Sequence, residues 1–336
     1  MVAALALMVT MRVDAATFCV KDAQGLKVAL TLAQANGEDD VIQLQAGTYT
    51  PSAASFVYQS DEAHSLTIAG GYFTLPEQAG CAFQVSGASL TMIDGAGTKA
   101  PLFIDATAAE SGVTVSNLTV QNAVSVAAVP PLRLVGAGPV ALENVVVRSN
   151  QVDSYTAQIS STNSQAQVRN CAFVDNGSLA PSAHAVLVSA NAGLVPAVVF
   201  NNNTVAANGE LSGALFTGSG DMAIANNVFW GNGNSDLASN GSGSNTLNSN
   251  DYGALSGNWV ADINSLHVNP KFIAPGDYRL RADSLLLDAG DSNAVGGVGS
   301  QDAGGSERVV FGSVDIGAYE VSDHIFKDDF EQPGSP

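Results

Sequence analysis

The sequence predicts an all-β chain: a single-stranded right-handed parallel β-helix, or solenoid, with an N-terminal capping helix and a C-terminal capping module. Three observations carry that expectation. The first is composition. Of 336 residues only 13% are charged while 34 are Gly, and Asn, Ser, Ala and Val are abundant, a turn-rich, β-branched mixture poor in the residues of helical bundles. The second is an Asn-framed repeat. Five segments align without gaps: SNLTVQN from Ser116, NVVVRSN from Asn144, NCAFVDN from Asn170, NNTVAAN from Asn202 and NNVFWGN from Asn226. Each ends in Asn, at Asn122, Asn150, Asn176, Asn208 and Asn232, and successive starts lie 28, 26, 32 and 24 residues apart. The third is a pair of apolar positions that keep step with the frame. One patch precedes each segment, around Ile104, Leu134, Ile159, Val188 and Phe216; the other lies two residues before each start, at Leu142, Val168, Phe200 and Ile224, with Thr114 in the first.

A coil of short strands cannot bury its inward face alone, but coils stacked about 4.8 Å apart form parallel sheets around one shared core. Equivalent positions then lie above one another, so Val147, Phe173, Val205 and Phe229 are expected to form an apolar ladder, and Glu143 and Arg169 an outward charge pair. Asn suits the repeated turns because it tolerates left-handed backbone angles and its amide can bond the Asn above and below; stacked carboxylates would repel. A leucine-rich repeat needs Leu at short fixed intervals, a propeller needs a longer period, and a two-sheet sandwich would not repeat the Asn frame. None of these fits.

The elements then follow in order. Residues 1–15 read as a signal peptide: Val2 to Thr10 is an apolar run too short to span a bilayer, and Val13 and Ala15 offer small residues for cleavage before Ala16. Nothing basic precedes that run, and Arg12 follows it. The β-helix with its N-terminal cap is placed at 16–250, its capping helix at about 22–36 with Leu26, Leu30 and Ala33 on one face. After Asn232 the repeat gives way to a polar stretch, Gly231 to Ser249, expected as a long loop. A C-terminal capping module is placed at 251–320 and a tail at 321–336. Of three cysteines, Cys19 and Cys81 lie in the non-repetitive N-terminal part and are expected to form a disulfide; Cys171 falls inside a repeat, where other repeats have Asn or Val, and is expected to be a buried stacking residue. Acidic residues exceed basic ones by 31 − 12 = 19, which disfavours nucleic acid and anionic lipid as partners. A soluble monomer with no membrane span is expected.

Three C-terminal motifs in order, HVNPKFIAPGDYRL, SLLLDAGDS and SVDIGAYE, resemble the end module of bacterial right-handed β-helix surface proteins with variable anchors, the choice-of-anchor Q type, on a pectate-lyase-like fold. The early pattern of an AL-x-x-A helix, then AGTY, GGY, a Cys and IDG is similar to the same family, so the resemblance covers residues 17 to 320. The family has SPAIDAG where this chain has SLLLDAG from Ser284. The final HIFKDDFEQPGSP resembles a short tag of exported proteobacterial proteins, IF-x-DGFE, with Asp329 in place of Gly. The resemblance implies a fold and a secreted or cell-surface location. It implies no reaction, because this fold hosts many chemistries.

The residues themselves carry no complete catalytic constellation. A polysaccharide lyase needs an acidic cluster for Ca²⁺ and a basic residue near the substrate α-carbon. The repeats offer Arg133, Arg148 and Arg169 as cations, with Asp153, Asp175 and Asp221 nearby, and place Arg148 and Asp175 on adjacent rungs. The catalytic candidates are therefore Arg148, Arg169, Asp153 and Asp175, set against an ordinary surface ion pair. Polygalacturonase-like motifs are missing: DD occurs only at Asp39–Asp40 and Asp328–Asp329, His184 lacks the adjoining Gly, and there is no RIK. His64, His184, His267 and His324 are scattered without metal-ligand spacing. No cofactor is required; Asp288, Asp291, Asp302, Asp315 and Glu320 offer oxygen ligands for calcium, or ties for turns. Trp230, Tyr155 and Trp259 are the aromatic candidates for sugar contact, and Tyr252 also falls in a loop; a Trp is equally suited to plug the end of a stack. The leading expectation is a non-catalytic exported protein that binds extracellular polysaccharide or a surface protein. An atypical lyase or glycoside hydrolase comes next, then a purely structural rod.

Overall fold

The computed structural model describes residues 15–321 except 53, 99, 109, 192, 194 and 195. The expected signal peptide, apart from Ala15, and the tail from Ser322 lie outside the described residues. Short strands that bury alternate side chains stack in parallel into a β-solenoid of about 8 turns. One sheet has 17 strands and begins at the edge with Ala16–Val20 paired to Asp40–Gln45. A second has 8 strands, from Phe56–Ser60 to Leu255–Gly257, and a small third sheet joins the coils at Val124–Ser125, Gln151–Val152 and Gly177–Ser178.

Registers follow the repeat. Val147 pairs with Phe173, Phe173 with Val205 and Val205 with Phe229; Leu142, Val168, Phe200 and Ile224 stack beside them. Phe200 sits at the centre, stacked between Phe173 and Phe229 with ring centroids 6.4 and 6.0 Å away and meeting Phe216 edge-on at 5.2 Å. Glu143 and Arg169 are neighbours and form an ion pair.

The first repeat is displaced by one residue from the gapless alignment. Glu143 pairs with Ser116 and Val145 with Leu118, so Asn117 lies under Asn144 and Val115, not Thr114, is the core residue. Asn122 therefore falls outside the Asn ladder. It holds a left-handed angle (φ 55°) and donates to Asp94 Oδ2 at 2.8 Å, while the amide of Ala123 takes its place beneath Asn150 Oδ1 at 2.9 Å. Asn suits both the left-handed corner and the ladder, so an Asn one place early mimics the frame.

Two jobs are in fact divided between different asparagines. Asn117, Asn144, Asn170, Asn202 and Asn226 adopt φ of 52–58° where the long sheet turns its corner. Asn150, Asn176, Asn208 and Asn232 form the amide ladder, each Nδ2 donating at 2.8–3.0 Å to the next oxygen and the last to Asp236 Oδ1 at 2.9 Å. A second ladder runs Asn203, Asn227, Asn250, with Nδ2 to Oδ1 distances of 3.0 and 2.8 Å. Cys171 begins it: its amide donates to Asn203 Oδ1 at 2.9 Å, and burial pushes its thiol pKa up to about 12, which makes it inert.

The polar stretch after Asn232 is no loop. Leu237–Ser239, Asn245–Asn248 and Asp251–Tyr252 form another coil, and Leu255–Gly257 with Ala261–Ile263 begin the last. Asn245 and Asn250 are fully buried there, so polar composition hid a coil whose interior is itself amide-rich. At the start, helix Ala23–Ala33 is N-capped by Asp22, which accepts from the amide of Gly25 at 2.8 Å. It buries Leu26, Ala29, Leu30 and Ala33, and Ser60 Oγ and Gln34 Nε2 tie its end to the edge of the second sheet. A disulfide joins Cys19 to Cys81 and so the first strand to the Leu66–Leu75/Gln78–Gln84 hairpin. Among the described residues no helix is long and apolar enough to cross a membrane.

Residues 269–321 lie along the flank of the stack as a strap. They bond Asn248 through Asp291, Asn226 through Gly317, Asn201 through Val295 and Gly297, Asn170 through Val298, and Ala88 through Ala303. Gly305 (φ 90°) is needed where the strap meets the early coils: a Cβ there would stand 2.3 Å from the carbonyl oxygen of Ser86. Beneath it the outer face of the rungs is apolar, with Val146, Ala172, Val174 and Ala206 buried against Tyr278, Ala303 and Ala318.

Candidate ligand-binding cleft

The sequence-derived catalytic candidates do not come together as a group: Arg148 and Asp175 stand on neighbouring rungs, as the repeat places them, and Arg169 and Asp153 do not join them. Arg169 is spent on Glu143 and on the carbonyl of Gly296 at 3.1 Å. Arg148 Nε donates to Gln121 Oε1 at 3.0 Å. Asp153 accepts from the amides of Ala127 and Ala128 at 2.7 and 3.2 Å, tying a loop on another face. Asp175 accepts from the Tyr278 hydroxyl at 2.5 Å. Nor do the aromatic candidates share one face. Tyr155 lies in the second sheet with its ring 6.0 Å from His184. Trp230 points outward, but the strap packs against it. Trp259 closes the end of the core, edge-on to Phe216 at 6.3 Å, its indole N–H donating to the Ser256 carbonyl at 2.9 Å.

Three of the C-terminal carboxylates, Asp302, Asp315 and Glu320, surround an arginine. Arg308 is fully buried in the strap, 3.4 Å from Glu320. Asp302 accepts from the amides of Ser306 and Glu320, Asp315 from those of Asp288 and Val321, and Glu320 from that of Asp315. Asp291 accepts from the Asn293 amide and Asn248 Nδ2. Their oxygens serve backbone amides and a fixed guanidinium, a donor set that suits turns and does not fit Ca²⁺, which needs six or more converging oxygens. Among the described residues no three His, Cys, Asp or Glu side chains converge as a metal site.

The structure instead offers a cleft where the strap's hairpin overhangs the rungs. Phe272–Ala274 and Asp277–Leu280 pair antiparallel around Pro275-Gly276, with Gly276 at φ 81°, the Pro-Gly order of a type II turn. This holds Phe272 and Tyr278 edge-to-face, centroids 5.1 Å apart, over Val174 and Ala206. The open cleft, about 550 Å³, is lined by Asp175, Ala207, Lys271, Phe272, Tyr278 and Arg281, among others. Burial and the Asp175 carboxylate both push the Tyr278 pKa upward, so the phenol remains a proton donor. At the rim Lys271 Nζ and Arg281 Nε approach the two oxygens of Asp283 at 3.1 and 3.3 Å, and Arg279 Nη2 meets Asp277 at 2.6 Å.

Sequence reasoning found Asp175 but missed Lys271, Phe272, Tyr278 and Arg281, which it read only as parts of a motif. One signal was available. Of the chain's 12 Lys and Arg, four (Lys271, Arg279, Arg281 and Arg308) fall within 38 residues of a strongly acidic sequence. Comparison of the chain with protein-family models, with curated proteins and with solved structures gave no match.

Proposed function

We propose that this is an exported, secreted or cell-surface solenoid that binds extracellular polysaccharide without cleaving it, with the sugar seated in the hairpin cleft. The observation that carries the reading is the cleft lining: the rings of Phe272 and Tyr278 beside Asp175, Asn269 and two cations. An apolar ring surface flanked by short polar groups matches a sugar's mixed surface. Hydrolysis by the usual pair needs two carboxylates roughly 5–10 Å apart on either side of the bond. Asp175 is the only carboxylate among the described lining residues and already accepts from Tyr278. Export is supported by the Val2–Thr10 run, by the resemblance to choice-of-anchor Q surface proteins, and by the Cys19–Cys81 disulfide, which suits an oxidising compartment.

The test uses the chain from Ala16 against a panel of neutral and acidic polysaccharides, recording binding, reducing ends and unsaturated product together. Saturable binding that Phe272→Ala abolishes, with no product, is the expected result. Product that disappears in Asp175→Asn would overturn the reading in favour of an enzyme. Silence across the panel would leave the structural rod.

A further inference from the structure

We infer that the polysaccharide bound in the cleft is an anionic one, its acidic groups taken by Lys271 and Arg281 in place of Asp283. The inference rests on the glycan-binding reading above and adds a ligand class and a mode of recognition.

The chain carries 31 acidic and 12 basic residues, so an acidic polymer meets a repulsive field over most of its surface. The hairpin region is the exception. Lys271 and Arg281 line the cleft, Arg279 stands on the same hairpin, and Arg148 on the neighbouring rung lies near enough to Tyr319 to act on it together with Arg279. Against these four cations stand Asp175, Asp277 and Asp283, together with Asp302, which also acts on Tyr319, so the region is locally balanced (4 − 4) in a chain that is otherwise strongly acidic.

The arrangement at the rim is specific. Arg279 has Asp277 to itself, through Nε at 2.9 Å and Nη2 at 2.6 Å. Lys271 and Arg281 share one carboxylate, Asp283, which is drawn below the usual carboxylate range chiefly by its bond from Lys271. All three side chains are exposed, at 42%, 58% and 55%. Two cations on one carboxylate are underneutralised, and an exposed pair of this kind contributes little. Asp283 is therefore an internal occupant that a ligand carboxylate or sulfate can displace at little cost. Lys271 is fixed for the purpose, since it holds φ at 55° and Nζ also donates to the Asp283 carbonyl at 2.8 Å.

This mode makes an unusual prediction: removing the acidic residue should strengthen binding. Asp283→Asn leaves two uncompensated cations in the cleft. Titration calorimetry of the chain from Ala16 would use alginate, hyaluronan and dextran sulfate as anionic probes, with dextran and xylan as neutral ones. The expected result is binding of at least one anionic probe that weakens with added salt. It should weaken roughly two- to fivefold in Lys271→Ala or Arg281→Ala, the scale of an exposed charge contact, and tighten in Asp283→Asn. Circular dichroism checks that each variant is folded. Binding confined to neutral probes, or anionic binding indifferent to all three substitutions, overturns the inference and leaves the glycan reading intact. No binding of any probe overturns both.

Discussion

Asn176 shows at one residue why the ladders are made of amides. Its Oδ1 accepts from the amide and Nδ2 of Asn150 at 3.1 and 3.0 Å, and its own Nδ2 donates to the Val147 carbonyl and to Asn208 Oδ1, both at 3.0 Å. Only a side chain with an acceptor on one side and a donor on the other meets that demand. In Asn176→Asp a carboxylate would face two oxygens while nearly fully buried (3% exposed), so a loss of about 3–4 kcal/mol is expected in urea unfolding. Asp236 is the counterpart. It ends the same ladder, and its oxygens accept from Asn232 (amide and Nδ2) and from the amides of Gly253 and Ala254. Every partner there is a donor, so the carboxylate is right and Asp236→Asn, which turns an NH₂ group toward an N–H, should cost about 1–3 kcal/mol. A charge is tolerated only where the ladder stops. If the aspartate at Asn176 proved harmless, side-chain stacking would be incidental to stability.

At the scale of the element, the strap is held by a buried charge cluster whose arithmetic does not balance. Arg308 faces Asp302, Asp315 and Glu320, with Asp288 beside Asp315. Three carboxylates around one guanidinium cannot all stay ionised away from water. Burial raises all three, and Glu320 reaches about 8 in spite of Arg308. A folded-state pKa above the unfolded one means that the folded state holds the extra proton. The stabilisation is complete below the ordinary carboxylate range and is lost as pH rises toward 8. The strap should therefore loosen between about pH 5 and pH 8. Trp230, packed beneath it, reports this by fluorescence in a Trp259→Phe background, and Glu320→Gln should flatten the profile. An unchanged slope in that variant would place the titration elsewhere. The strap was only partly legible in sequence. DAGD and DIGAYE marked a module, but its place along the flank depends on close approaches such as Gly305 on Ser86, which leave no periodic trace. The rungs were legible because one register repeats many times, and even there an Asn at position 122 misled by one residue. The cleft was least legible, since it joins Asp175 to Tyr278 across 103 positions.

For the molecule as a whole the open question of any stack is how it ends. Helix Ala23–Ala33 packs against the first strands, with Gln34 and Ser60 bonded at the edge of the second sheet. At the other end Leu255–Gly257 and Ala261–Ile263 each pair on one side only among the described residues. Leu255, Val260 and Ile263 are 38%, 70% and 54% exposed there. Such an edge invites pairing with a second copy, and an inward-pointing charge is a recognised defence. Asp262 occupies that position. It pairs in register with Leu247, a core residue, where a further coil would need an apolar side chain, and its Oδ2 is held by the Tyr252 hydroxyl at 2.5 Å. It is the one charged residue between Gly253 and Asn264, so a single change should remove the guard. Association through one small stack end belongs with the weak, transient contacts, which bury less than about 1,200 Å². Asp262→Asn keeps an acceptor for Tyr252 while removing the charge. Sedimentation velocity should find the parent chain monomeric and the Asn variant self-associating as concentration rises, more so at high salt, which screens the net charge of −19. A parent chain that associates as readily as the variant would show that the end is not guarded by Asp262.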